Sequence, residues 1–149
     1  MFDQDLVVFS QKTFENKFDA IRDLTNLVSN KVTSPEDYFE AVKEREDTLA
    51  TYVEYGVAIP HAKTNAVKEP FVVYEKLENG VVWGNNGEVA NYIFMIGVPE
   101  KYAGNLHLKI ISELSKNLMR EEFRNKLLNA ENANQVYELL MLVEKEILK

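Results

Sequence analysis

Apolar residues along this chain either cluster in short runs or recur every three to four positions, and the changes of period mark its elements. Leu6-Val7-Val8-Phe9 reads as a short first strand. Phe14, Phe18, Ile21, Leu24 and Val28 then share one face of a helix. Ser34-Pro35 opens a second helix, with serine as N-cap, proline at the first helical position and Asp37 in the first turn. Its buried stripe should hold Tyr38, Val42 and Leu49, with Phe39 and Ala41 beside it. Val57-Ala58-Ile59 reads as a buried strand end, and Pro60 cannot donate a ladder hydrogen bond. Pairing should therefore lapse there, leaving His61 at a strand edge. Phe71 to Leu77 is a strand, Asn79-Gly80 a turn signal, Val81-Val82-Trp83 another strand, and Gly84-Asn85-Asn86-Gly87 a second turn. Val89 to Val98 contains the nearly all-apolar run Tyr92-Ile93-Phe94-Met95-Ile96, the pattern of a strand covered on both faces, ended by Gly97 and Pro99.

The last third is helical. Leu106, Ile110, Ile111, Leu114 and Leu118 line one face, with Asn105 placed to be the N-cap. Phe123, Leu127 and Ala130 suggest a short helix; Val136, Leu139, Leu140, Val143 and Ile147 suggest a terminal one. Helices on both sides of a largely buried sheet give an α/β fold, a three-layer α/β/α domain. At 149 residues, positions 1–149 suit one domain.

Composition narrows the function. Cysteine is absent, which removes disulfides, thiolate catalysis and thiolate metal sites, and fits a reducing compartment. No run of about 18 apolar residues is present to span a membrane, and Met1-Phe2-Asp3-Gln4-Asp5 lacks the features of a signal peptide, so a cytoplasmic location is expected. A net charge of -7 disfavours nucleic acid as a partner.

Three residues carry candidate chemistry. His61 follows a strand end, and a neutral imidazole is nucleophilic at cellular pH. Arg45 falls on the apolar stripe of the second helix, three residues after Val42. It either snorkels past the helix end or breaks the pattern because a site needs it. His107, the only other histidine, opens a helix. A phosphorylated histidine needs positive charge around its phosphoryl oxygens. An arginine fork and a helix N-terminus both supply that. Zinc would require two further ligands, no Gly-x-Ser-x-Gly elbow is present, and no glycine-rich phosphate loop exists for direct use of ATP. No metal and no cofactor is expected, and phosphate should arrive already activated on another protein. Lys63, Lys101 and Tyr102 either lie near the site or are two solvated lysines and a loop tyrosine, and the sequence favours the second.

These residues stand in a known pattern. Arg45-Glu46, Thr51, Gly56-Val57-Ala58-Ile59-Pro60-His61-Ala62 and Leu106-His107-Leu108, with Arg45 16 positions before His61 and His107 46 after it, resemble the enzyme IIA component of bacterial sugar phosphotransferase systems, mannitol/fructose class. The resemblance implies a mixed central sheet and a phosphohistidine at His61, formed at Nε2. It makes His61 the phosphoryl acceptor, with Arg45 and His107 around the phosphoryl group. It implies the carrier protein HPr as donor, enzyme IIB as acceptor and only transient association with a membrane permease. A regulatory relative of the nitrogen-related type, acting by phosphorylation-dependent partner binding, is the alternative. The sequence departs from the fructose-type pattern at Val53-Glu54-Tyr55, where a further glycine is common.

Overall fold

The computed structural model describes residues 1–102 and 104–149. Its strands are β1 (Phe2–Ser10), β2 (Tyr52–Glu54), β3 (Val57–Ala58), β4 (His61–Thr64), β5 (Phe71–Val82) and β6 (Val89–Pro99). Its helices are α1 (Lys17–Leu27), α2 (Pro35–Thr48), α3 (Leu106–Leu118), α4 (Glu121–Asn129) and α5 (Ala133–Ile147). The sheet runs β1-β5-β6-β3-β2, with β4 also paired to β6. It is mixed: β1 is parallel to β5, β5 antiparallel to β6, and β3 and β4 both parallel to β6.

Alternation along the two central strands explains the continuous apolar runs. Phe71, Val73, Leu77, Ile93 and Met95 face a core shared with Ile21, Leu24, Tyr38 and Val42 of α1 and α2. Val72, Tyr74, Phe94, Ile96 and Val98 face a second core with Ile110, Leu114, Phe123, Leu140 and Val143 of α3, α4 and α5. A sheet buried on both faces must present apolar side chains at every position. The three-layer α/β/α arrangement follows.

Local signals work where they are self-contained. The Ser34 hydroxyl accepts from the Asp37 amide at 3.2 Å, and Pro35 starts α2. Asn105 does precede α3, but its side chain makes no cap hydrogen bond. Several other expectations are corrected. Asn79-Gly80 is not a hairpin turn: it lies inside β5, at a register shift between Lys76 and Val81, and both halves of the strand pair with β6. A Cβ on Gly80 would come within 2.4 Å of Val89 Cγ1, so glycine serves close approach there. Gly97 does not end β6 but lies within it, where a Cβ would stand 2.4 Å from the Phe71 ring. Leu49 is 62% exposed, because α2 stops at Thr48 and the chain turns to an extended conformation. The buried position after Val42 is taken by Glu46. Tyr55 has φ 58° and makes the β2–β3 turn with Gly56. Its ring stacks 3.8 Å from the Arg124 guanidinium.

Candidate functional site

The segment between α2 and β4 builds the site. The strand is interrupted at Ile59-Pro60, but the register with β6 is kept: the Pro60 carbonyl accepts from the Ile96 amide at 3.0 Å and His61 pairs with Ile96. Because Ala62 points into the α1/α2 core, strand alternation turns His61 and Lys63 to the other face, that of α3. The Tyr38 hydroxyl donates to the Ile96 carbonyl at 2.9 Å, tying α2 to the strand beside His61. His61 is half-buried. Its Nδ1 lies 2.8 Å from the carbonyl of Ile59. A carbonyl can only accept, so Nδ1 carries the proton of the neutral ring and Nε2 keeps the lone pair.

Arg45 sits in the last turn of α2, half-buried, its Nη1 donating to the Leu49 carbonyl at 2.6 Å. His107 is the second residue of α3, half-buried, with its Nδ1 enclosed and, among the described residues, without a hydrogen-bond partner. Both lie close enough to His61 to act on its protonation. Burial is the largest influence and lowers the His61 pKa from the ordinary histidine value. Positive charge at Arg45 and His107 lowers it further, against the Ile59 hydrogen bond and the Glu46 carboxylate. Burial lowers the His107 pKa as well, helped by the charge of Lys63. Two imidazoles neutral at pH 7, one of them with its lone pair on Nε2, lie within electrostatic reach of a permanent cation. That arrangement can take up and hold a phosphoryl group.

Of the two readings left open for Lys63, the structure favours a place in this neighbourhood. Its Nζ reaches the Gly104 carbonyl at 3.4 Å, bridging β4 to the approach of α3. The signal was its place two residues after His61 on one strand face. Lys101 and Tyr102 are exposed. Glu46 and Thr51 stand in the motif without an assigned part, yet they form a buried hub. The Glu46 carboxylate accepts from Lys17 Nζ at 3.0 Å, the Thr51 amide at 3.1 Å, the Thr51 hydroxyl, and Trp83 Nε1 at 3.2 Å.

The description "Phosphoenolpyruvate-dependent sugar phosphotransferase system, EIIA 2" fits residues 1–142 as a family model. The fructose-specific EIIA component of Haloferax volcanii is 36% identical over 129 residues, 86% of this chain and 82% of that protein. The fructose-specific EIIABC component of Bacillus subtilis is 37% identical over 113 residues, 75% of this chain. The matched stretch is 18% of that longer protein. In fold, the nitrogen regulatory protein IIA-Ntr of Neisseria meningitidis matches with a TM-score of 0.83 at 24% identity, over 93% of this chain and 95% of that one. The Escherichia coli mannitol enzyme IIA, solved in complex with phosphorylated mannitol enzyme IIB, matches with a TM-score of 0.77 at 24% identity, over 95% and 99%. With nearly the whole length matched by the family model, the chain belongs to the phosphoenolpyruvate-dependent sugar phosphotransferase system EIIA 2 family, whose members are phosphotransferases.

Proposed function

We propose that residues 1–149 work as one phosphotransfer unit in which His61 accepts a phosphoryl group from phospho-HPr and passes it to an enzyme IIB. The observation that carries this reading is the imidazole geometry: Nδ1 is occupied by the Ile59 carbonyl, which leaves Nε2 as the nucleophile. The Nε2 lone pair attacks phosphorus in line with the donor imidazole nitrogen. The phosphorus–nitrogen bond of the donor breaks as the bond to Nε2 forms. A donor ring protonated on its second nitrogen leaves neutral, and His61 keeps its Nδ1 proton, so charge and protons balance.

The transition state is loose, so positioning and charge do most of the work. Arg45 supplies donors for the phosphoryl oxygens, and His107 adds one at the start of α3, whose first-turn amides lack a side-chain cap. Lys63 contributes positive charge nearby. An EIIA component of this kind acts in the cytoplasm and meets a membrane permease only transiently. In support, no helix among the described residues is long and apolar enough to cross a membrane.

Reconstitution with phosphoenolpyruvate, enzyme I and HPr tests the reading. One phosphate per chain is expected, with none on His61→Ala. Label on folded His61→Ala would make another residue the acceptor. Phosphorylation without onward transfer to any enzyme IIB would favour a regulatory role. Arg45→Ala and His107→Ala should each slow transfer by about a hundred- to a thousandfold, the range for loss of one charge-stabilising donor.

A further inference from the structure

Beside the reacting groups lies a charged cluster that the chemistry above leaves unused. The Glu46 side chain is fully enclosed, and its ion-pair partner Lys17 is 14% exposed. Lys17 also donates to the Trp83 carbonyl at 3.1 Å, and Trp83 Nε1 lies 3.3 Å from the Thr51 hydroxyl. Residues from α1, from the end of α2, from the entry to β2 and from the end of β5 therefore converge on one carboxylate. Burying a carboxylate is costly, and an aliphatic side chain could fill the same stripe position on α2 without that cost. What an aliphatic residue could not do is fix the direction of a peptide.

From the peptide fixed here, hydrogen bonds on the neighbouring peptide units lead to the imidazole. The Thr51 amide donates to Glu46 at 3.1 Å. The Thr51 carbonyl accepts from the Ile59 amide at 2.9 Å. The Ile59 carbonyl accepts from His61 Nδ1 at 2.8 Å. Glu46 also follows Arg45 directly, in the last turn whose Leu49 carbonyl holds the guanidinium. We propose that Glu46 is a positioning residue for phosphoryl transfer: through Thr51 and Ile59 its carboxylate sets the orientation and tautomer of the His61 ring and keeps Arg45 in register with it. Glu46 itself touches neither donor nor phosphoryl group. The inference rests on His61 being the acceptor.

The test combines rapid-mixing phosphorylation by phospho-HPr at varied HPr concentration with nitrogen-15 NMR of the His61 ring. Both are run where circular dichroism shows each variant folded. Glu46→Gln should lower the limiting transfer rate tenfold or more while leaving the half-saturating HPr concentration within twofold. Its His61 ring signals should move away from a pure Nδ1–H tautomer. Thr51→Val should show the same pattern to a smaller degree, and Thr51→Ser should restore both readouts. Leu140→Ala, in the core under α5, controls for lost stability and should keep the wild-type rate and ring signals. Wild-type rate and ring signals in Glu46→Gln would overturn the proposal. So would a loss confined to HPr affinity, or equal slowing in Leu140→Ala. If Glu46→Gln does not fold, equal behaviour of Thr51→Val and Thr51→Ser overturns it. Label on His61→Ala would instead defeat the acceptor assignment, a result separate from all of these; the NMR arm needs no donor and still decides the orienting role.

Discussion

At the scale of single residues, the site depends on which protons are absent. Burial and the neighbouring positive charges keep His61 neutral below the ordinary histidine pKa. Its titration, followed by NMR, should therefore have a midpoint under 6.5, and Arg45→Ala should raise that midpoint. An unchanged midpoint in that variant would remove Arg45 from the electrostatics of the ring. Glu75 gives the opposite case, away from the site. It is 1% exposed, one of its carboxyl oxygens has no partner among the described residues, and burial together with Asp23 pushes its pKa up to about 7 against the pull of Lys12. Between pH 4.5 and about 7 the folded chain keeps a proton that the unfolded chain has lost. Stability should fall with rising pH across that window, by at most about 1.4 kcal/mol per pH unit, and level off above it. Glu75→Gln should not show this slope. Urea titrations at pH 5 and pH 8 check it: the variant should gain on the wild type at pH 8, and a pH-independent difference would contradict the assignment.

Among the secondary-structure elements, the break between β3 and β4 matters most. Pro60 withdraws a donor from the ladder for one step while its carbonyl still accepts from the Ile96 amide, and the Ile59 carbonyl, on the opposite edge, holds the His61 ring. Gly97, opposite Ala62 in the register, lets β4 and β6 run over the Phe71 ring. Because Phe71 is fully buried and cannot step aside, Gly97→Ala should cost about 1–3 kcal/mol, measured as a lower urea midpoint. Ser34→Ala should cost about 1 kcal/mol through the lost cap of α2. The start of α2 was legible because its cap lies within four residues. Asn79-Gly80 was misread because the same dipeptide serves a turn or a close strand crossing, and only pairing with β6 chooses between them. Leu49 was misplaced because helix periodicity does not say where the helix stops.

For the molecule as a whole, the layered architecture was readable from the both-faces-apolar run at Tyr92 to Ile96 and the helical stripes on either side of it. His61, Arg45 and His107 were conspicuous by scarcity and by breaking the apolar pattern. Glu46 was not, because what gives it meaning comes from afar: Lys17 lies 29 residues before it and Trp83 37 after it. The choice of ring nitrogen was equally hidden, since it depends on where the Ile59 carbonyl points. That choice is the centre of the account. Nitrogen-15-labelled protein phosphorylated through enzyme I and HPr, examined by nitrogen–phosphorus correlated NMR, reads it directly. One phosphorus, bonded to Nε2 of His61, is expected; phosphorus on Nδ1 of that ring, on His107, or on no histidine would contradict the assignment.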